Sequence, residues 1–342
     1  MKEKKTVKRI FTVVGLFLAV TVVVGGLAFL ITRRRVLDFV SEKENEVREV
    51  VEVDVKGANL LTESFIECEN ESKDDSLYSS ELCKAIWNNE DEEIFDENGV
   101  CVKEVSGQSF QAHVMIVKDP SKVFVGTIYP WRAEGVTLDE LVSMNDAIGG
   151  INGGLYSNFS NTGGSPMGVV VENGKITYNI PSYNGLYLIG FNEENNLVVD
   201  NISGLGSNGV VEYVENNKIR DAVTFLQESG DPNCHFVNLV KDGEPCNMEG
   251  LGVGLNPRTA IGQRADGSVI LVTADGRGAC SHLGANAEQL QELMIELGAV
   301  TAANLDGGSS SAMYYDGEYE MTSVTFYYRD SSWKLPTGFM VK

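Results

Sequence analysis

Two short strings join carboxylates to glycine turns, hydroxyls and a guanidinium. They are Asp275-Gly276-Arg277 and Asn304-Leu305-Asp306-Gly307-Gly308-Ser309-Ser310-Ser311, each of which follows an apolar run. Glycine lets backbone N–H groups approach an oxyanion closely, and serine and arginine side chains add donors. An aspartate beside such donors can move a proton. The longer string therefore predicts a site for phosphate or sugar oxygens, whereas Asp275-Gly276 on its own is also typical of a plain turn.

A third string, Asn256-Pro257-Arg258-Thr259-Ala260-Ile261-Gly262, contains a second arginine. A guanidinium stays charged and can donate two parallel hydrogen bonds to phosphate, so Arg258 is a candidate for a phosphate contact. A surface salt bridge is the alternative for Arg258. The glycine loop Asn152-Gly153-Gly154 follows a helical-looking stretch, 138–148, and is a further, weaker candidate for substrate binding.

His282 lies in the loop after Arg277, next to Ser281 and Cys280. It is open to two interpretations, a general acid or a zinc ligand, but one histidine and one cysteine do not complete a zinc site. The chain contains no G-x-S-x-G, GxxxxGK[ST] or HExxH pattern, which argues against serine hydrolases of that type, P-loop enzymes and zincins. We expect no required cofactor, since a calcium or other divalent ion at Asp306 has no supporting motif.

The net charge restricts the partners. With 49 acidic and 27 basic side chains among 342 residues, the formal net charge is -22. Phosphate backbones would be repelled by most of this surface, so nucleic acid is excluded as a partner. An anionic small substrate requires arginines gathered at one place, which makes the arginines near glycine loops informative.

The elements that position these residues are clearest near the carboxyl end. The pattern predicts a buried strand over 268–274, a helix over 286–297 and a strand over 300–305. Asn286 is a candidate N-cap of the helix, Gly298 a candidate C-terminal stop, and its apolar stripe is core packing. If the two strands are parallel members of one sheet, their carboxyl ends share an edge. Asp275 and Asp306 would then lie on one rim.

The amino-terminal part differs from the rest. Residues 10–32 are uncharged and are flanked by five basic residues before them and by Arg33, Arg34 and Arg35 after them. This length spans a bilayer, and the charge bias favours a cytoplasmic amino terminus with the remaining chain outside. We therefore predict a cytoplasmic tail (1–9), a transmembrane signal anchor (10–32), a stalk (33–56), an acidic helical region (57–95) and a main domain (96–342).

Six cysteines fit an extracytoplasmic location. They form an even set with no C-x-x-C pair, which favours disulfides over zinc knuckles, and buried free thiols are the alternative. Proximity in the sequence indicates Cys68 with Cys83 and Cys234 with Cys246. For the fold as a whole we predict an α+β class with a mixed β-sheet core, packed helices and the strand-helix-strand unit near the carboxyl end.

Taken together, the motifs resemble those of the phosphodiester glycosidase family. The resemblance covers residues 100–342 and rests on Asp119-Pro120, Asn152-Gly153-Gly154, Gly164-Ser165-Pro166 with Gly168 and Asn173-Gly174, the Arg258 string, Asp275-Gly276-Arg277, the Asp306 string and Leu335-Pro336-Thr337-Gly338-Phe339. Two departures are Ser309, where many relatives carry a third glycine, and the stretch 321–328, which replaces an Asn-Pro region and could alter one wall of the cleft.

The resemblance implies a membrane-anchored hydrolase of bacterial type that cleaves the glycosidic bond of a sugar-1-phosphodiester on a surface glycan or wall polymer. Arg258, with Arg277 or the Gly307 and Gly308 amides, would hold the phosphate, while Asp306 or Asp275 would activate water or stabilise the oxocarbenium-like centre. Asn152 and Asn304 would orient sugar hydroxyls or the loops. Two alternatives remain open: a non-catalytic binder of anionic glycans, and a phosphodiesterase that cuts the other ester bond.

Overall fold

β-Branched, apolar runs separated by glycine and asparagine turns form most of the described chain into strands. The structure is a computed structural model and describes residues 93–157, 162–228, 235–324 and 330–342. These residues contain nineteen strands and three α-helices, labelled here in chain order. They belong to one compact unit that spans Asp91–Lys342.

The largest sheet has seven strands in the order β1-β2-β15-β14-β16-β12-β13, and all of its neighbouring strands are antiparallel. Its strands are β1 (Val100–Ser106), β2 (Gln111–Val117), β12 (Asn238–Lys241), β13 (Glu244–Pro245), β14 (Arg258–Arg264), β15 (Val269–Ala274) and β16 (Ala299–Asn304). Strands β14 and β15 are buried almost throughout, which is consistent with the apolar sequence of β15 and with the apolar centre of β14, Ala260-Ile261-Gly262.

Helix α3 (Ala287–Glu296) connects β15 to β16. It begins at a capping box, in which Asn286 accepts from the Gln289 backbone N–H, and Gly298 follows it with a φ of +86°. Its Leu290, Leu293 and Met294 pack on the sheet. The predicted strand-helix-strand unit is therefore confirmed to within a residue or two.

The prediction of a mixed sheet is wrong for the described residues, in which every pair of neighbouring strands is antiparallel. Strands β15 and β16 are parallel to each other, but β14 lies between them and runs the opposite way. The helical crossover thus skips one strand. The ends of β15 and β16 still reach the same edge, so Asp275 and Asp306 do lie on one rim.

Two five-stranded sheets complete the core. One has the order β10-β9-β11-β7-β8 and the other β18-β17-β4-β19-β3. Their strands are β3 (Val123–Thr127), β4 (Gly149–Asn152), β7 (Gly168–Glu172), β8 (Lys175–Ile180), β9 (Leu186–Asn192), β10 (Leu197–Asn201), β11 (Ile219–Leu226), β17 (Met313–Tyr315), β18 (Glu318–Met321) and β19 (Thr337–Val341). A small ribbon pairs β5 (Tyr156–Ser157) with β6 (Ser165–Pro166). Helix α1 is Leu138–Met144 and helix α2 is Gly206–Asn216.

The main core lies between the three large sheets. Phe191 of β9 and Phe339 of β19 meet there edge to face, with ring centroids 6.3 Å apart, and both are fully buried. Burying an aromatic side chain of this size stabilises the fold by about 2–3 kcal/mol. This contact joins the two five-stranded sheets, and Ile261 and Leu271 of the seven-stranded sheet belong to the same buried cluster.

Several predictions concern residues outside the described ranges. These are the segment 10–32, the stalk, Cys68, Cys83 and Cys234, and all but the last three residues of the stretch 57–95. In the described ranges, no helix is long and apolar enough to cross a membrane. Cys101, Cys246 and Cys280 are free thiols, so the pairing of Cys246 with Cys234 is not supported.

Candidate functional site

The predicted site strings meet at one edge of the seven-stranded sheet. Arg258 at the start of β14 pairs with Ala274 at the end of β15, and Ala260 pairs with Asn304 at the end of β16. The loops that contain Asp275 and Asp306 therefore leave the sheet side by side. Since neighbouring strands are about 4.8 Å apart and β14 intervenes, the two aspartates start from strands about 10 Å apart.

Asp306 follows β16 at this edge and is partly exposed to solvent. Burial raises the pKa of its carboxyl to about 7, although hydrogen bonds from the Ser310 hydroxyl and the Gly307 N–H and the charge of Arg277 oppose the shift. The Tyr156 hydroxyl lies 3.0 Å from Ser310 Oγ, and the two hydroxyls form a hydrogen bond next to Asp306. Asp306 can thus exchange a proton near neutral pH.

Arg277 is the exposed guanidinium of this edge. Its Nη1 donates to the Ser309 hydroxyl at 2.8 Å and its Nη2 to Asn256 Oδ1 at 3.4 Å. Gly308 has a φ of +64°, and a Cβ built on it would lie 2.8 Å from Nη2 of Arg277. The close packing of Arg277 over Gly308 explains why a glycine is required there.

Arg258 does not occupy the position that we expected. It is only 6% exposed, its Nε donates to the Ala285 carbonyl at 3.1 Å, and its Nη2 donates to the Gly254 carbonyl at 2.8 Å. The guanidinium also lies over the Phe236 ring, 4.9 Å from the centroid. Arg258 therefore ties the loops before β14 and before α3 together, and its predicted role as the phosphate contact is not supported.

Asn152 and Asn304 are likewise buried, at 0% and 2% exposure, and hold loops rather than sugar hydroxyls. The Asn152 Nδ2 donates to the Asp306 carbonyl at 2.6 Å, and its Oδ1 accepts from Thr259 Oγ1 at 2.8 Å and from the Ala312 N–H at 3.2 Å. The Asn304 Nδ2 donates to the carbonyls of Phe236 and Leu305. Of the two roles that we considered, the loop-orienting one fits.

The glycine amides are also used inside the protein. The Gly308 N–H donates to the Pro257 carbonyl at 2.7 Å, and that of Gly307 to the Asp306 carboxylate. Gly153 and Gly154 are buried, and a Cβ on either would lie within 2.6 Å of another residue's oxygen. The structure therefore gives no support to the amide cradle that we expected for phosphate, and shows these glycines in close packing within the chain.

Asp275 is 7% exposed and has two partners. Its Oδ1 accepts from the Gln111 N–H at 2.8 Å, and its Oδ2 lies 2.7 Å from Nδ1 of His282. The carboxylate of Asp275 thus faces an imidazole and not open solvent. Of the residues that the sequence motifs favoured, Asp306, Arg277 and Ser309 form the accessible group.

Sequence reasoning left Tyr156, Ser310 and Asn256 out of the predicted site. Ser310 stood inside the serine run and could have been named from its spacing to Asp306. Asn256 begins the Arg258 string and Tyr156 lies two residues after Gly154, but their side-chain contacts could not be predicted, because each reaches the site from a different sheet or loop. In the described part of the chain, no three or more His, Cys, Asp or Glu side chains are grouped to hold a metal ion.

A carboxyl whose pKa burial raises to about 7, an exposed guanidinium and a hydroxyl come together here, and such groups can combine proton transfer with the binding of an anionic group. Residues 145–342, more than half of the chain, match the model of the phosphodiester glycosidase family, NAGPA. The chain belongs to this family.

A curated relative and a solved structure are similar to the chain. The SPbeta prophage-derived uncharacterized protein YomE of Bacillus subtilis (strain 168) is 35% identical over 111 residues, which are 31% of this chain and 17% of YomE. The chain thus spans about one sixth of the length of YomE. The zebrafish N-acetylglucosamine-1-phosphodiester alpha-N-acetylglucosaminidase catalytic domain, auto-inhibited by its pro-peptide, aligns with a TM-score of 0.55 and 17% identity over 71% of this chain and 81% of that one. This second similarity supports the fold.

Proposed function

We propose that this chain is an extracytoplasmic hydrolase that cleaves the glycosidic bond of a sugar-1-phosphodiester. Family membership supplies the reaction class. The observation that supports it most is the Asp306 carboxyl, whose pKa burial raises to about 7, in the same cluster as the exposed Arg277 guanidinium. Arg277 is an exposed cation next to Asp306 in a protein with a formal net charge of -22, and it would favour an anionic group at this point.

In the proposed mechanism, Arg277 and the Ser309 hydroxyl hold the phosphate of the substrate. The bond between C1 of the sugar and the bridging oxygen breaks, and its electron pair goes to the phosphate. The ionised Asp306 carboxylate takes a proton from the water whose oxygen bonds to C1. The products are a free sugar and a phosphomonoester on the acceptor. Arg277 stabilises the charge that develops on the leaving phosphate.

The experiment is product analysis in ¹⁸O-labelled water with the purified full chain and a panel of sugar-1-phosphodiesters. Glycosidic cleavage places the label on the free sugar and none on the phosphomonoester. A phosphodiesterase places the label on phosphate, and that outcome would replace the present proposal by the other ester cleavage. Binding of the panel without any product would favour the non-catalytic glycan binder. Asp306→Asn is the matched inactive control.

We further propose that the substrate is a glycan or wall polymer at the cell surface. Support comes from residues 10–32, whose uncharged run between basic flanks fits a single-pass anchor with the amino terminus in the cytoplasm. Protease treatment of intact cells tests this orientation. Digestion of the carboxyl-terminal domain with survival of an amino-terminal tag is expected, and protection of the domain would contradict it.

A further inference from the structure

The loop between β15 and α3 holds a carboxylate and an imidazole together outside the Asp306 cluster. Nδ1 of His282 lies 2.7 Å from Oδ2 of Asp275. The other oxygen of Asp275 accepts from the Gln111 N–H at 2.8 Å, so the carboxylate is fixed on both sides. Since an ionised carboxylate only accepts, Nδ1 carries a proton and Nε2 is the nitrogen left to exchange one.

Asp275 and His282 differ in solvent exposure, as expected for a pair in which a buried carboxylate orients a more exposed imidazole. The Asp275 side chain is 9% exposed, whereas that of His282 is 31% exposed. Within the described residues, His282 makes its side-chain hydrogen bond through Nδ1, and Nε2 has no hydrogen-bond partner there. The carboxylate therefore orients the ring from within, and the ring presents its second nitrogen toward the surface of the rim. His113 on β2 is the other titratable group that faces Asp275.

The backbone of this loop is held in an unfavourable conformation. Nine residues other than glycine have a positive φ in the described chain, and five of them are the turn-forming Asn or Asp. Of the remaining four, three lie here: Arg277, Cys280 and Ser281. Such residues cost free energy and cluster at functional sites. Hydrogen bonds from the Gly278 N–H to the His282 carbonyl and from the Arg277 N–H to the Leu283 carbonyl keep the loop in this shape.

The same loop also presents Arg277 to the candidate phosphate position. Arg277 reaches Ser309 across the rim. His282 lies five residues after Arg277, and its carbonyl accepts a hydrogen bond from the N–H of Gly278, the residue next to Arg277. A phosphate held by Arg277 would therefore lie next to the loop that contains His282. This arrangement puts a candidate proton donor, His282, in the same loop as the arginine that would hold the leaving phosphate.

We propose that Asp275 and His282 act as a pair, in which Asp275 orients the ring and His282 protonates the phosphate oxygen that leaves the sugar. The inference rests on the proposed glycosidic cleavage. The bond from C1 to oxygen breaks, its electron pair stays on the phosphate oxygen, and the proton on Nε2 of His282 goes to that oxygen. Water supplies oxygen to C1 and a proton to Asp306, and solvent returns a proton to His282. Asp275 is then a positioning residue and not the nucleophile or base.

The test compares the full chain with its His282→Gln variant on two substrates of one sugar, the phosphodiester and the glycosyl fluoride. Fluoride leaves without needing a proton, so a lost acid should matter only for the phosphodiester. We expect kcat/KM to fall about 10²-fold on the phosphodiester and less than about threefold on the fluoride. Asp275→Asn should lower the phosphodiester rate in the same selective way. Cys280→Ser, in the same loop, is the control and should change neither rate more than about twofold.

An equal loss on both substrates or an unchanged phosphodiester rate would overturn the role of His282. Label on the phosphate instead of on the free sugar in ¹⁸O-labelled water would show that the proposed glycosidic cleavage has failed, and the inference with it.

Discussion

Nη1 of Arg277 lies 2.8 Å from the Ser309 hydroxyl oxygen and donates a hydrogen bond to it. This bond joins the loop after β15 to the loop after β16, although the two strands are separated by β14. It also places the exposed positive charge beside Asp306, whose ionised form it favours. The Ser309 side chain thus helps to position the arginine.

Replacement of Arg277 tests the phosphate contact directly. Arg277→Ala should lower kcat/KM by about 10²–10³-fold, because a donor to developing charge is lost. Arg277→Lys keeps the charge without the planar fork and should retain an intermediate rate. Steady-state kinetics on the phosphodiester measure both. Lys241→Ala removes an exposed cation at the opposite end of the same sheet, and a comparable loss there would point to general electrostatics.

A substitution of Gly308 tests whether the contact with Arg277, and not backbone strain alone, affects the activity. Gly308→Ala places a methyl group 2.8 Å from Nη2 of Arg277 at a φ of +64°. We expect at least a tenfold lower kcat/KM, since Arg277 must move. Gly243→Ala is matched in strain, with a φ of +82°, but has no atom within 4 Å of the new methyl group. Both variants should lose about 1 kcal/mol of stability, and equal activity in the two would refute the contact argument.

The activity should rise with pH through the titration of Asp306. Its pKa is raised to about 7, so the carboxylate that accepts the proton from water forms mainly above neutral pH. The acid limb of the kcat/KM profile on the phosphodiester should therefore have its midpoint near this value. Asp306→Asn should remove the activity across the whole range. A limb near the ordinary aspartate value would mean that another carboxylate is the base.

The same carboxyl should make stability depend on pH. The pKa of Asp306 is close to its ordinary value of 3.8 in the unfolded chain and is raised to about 7 in the folded chain. Between these values the folded state binds more protons, so the free energy of unfolding falls as pH rises. Asp306→Asn removes this term and should be more stable than the wild type at pH 8, by roughly 2 kcal/mol after allowance for partial solvation. Urea unfolding at pH 5 and pH 8 measures the difference, which should shrink at the lower pH.

Asn152 should be a structural residue of the site. Asn152→Ala leaves the Thr259 hydroxyl, the Ala312 N–H and the Asp306 carbonyl without their buried partner, so unfolding should become easier by about 2–4 kcal/mol. Asn217→Ala removes an exposed amide whose Nδ2 donates to a carbonyl one helical turn away, and should cost less than about 1 kcal/mol. Thermal unfolding of both variants compares them. Equal costs would mean that the Asn152 network contributes little.

Sequence by itself determined the local unit at the carboxyl end of this protein. The helix between β15 and β16 follows from its apolar period, its Asn286 cap and Gly298, all of which act within a few residues. The shared edge of Asp275 and Asp306 follows from strand direction. The acidic composition likewise predicted that an anionic substrate would need arginine side chains gathered at its binding site. Each of these depends on near neighbours or on sums over the chain.

Only the tertiary structure decided which arginine faces solvent and what each aspartate does. Arg258 is buried by Phe236 and by the carbonyls of Gly254 and Ala285, whose positions depend on how the loops meet. The strand between β15 and β16 could not be read from the crossover, because pairing order depends on contacts distant in sequence. Asp275 meets His282 through a left-handed loop, a backbone state that Arg277, Cys280 and Ser281 do not favour locally. Local sequence patterns therefore identified the candidate residues, and contacts between distant parts of the chain determined the role of each one.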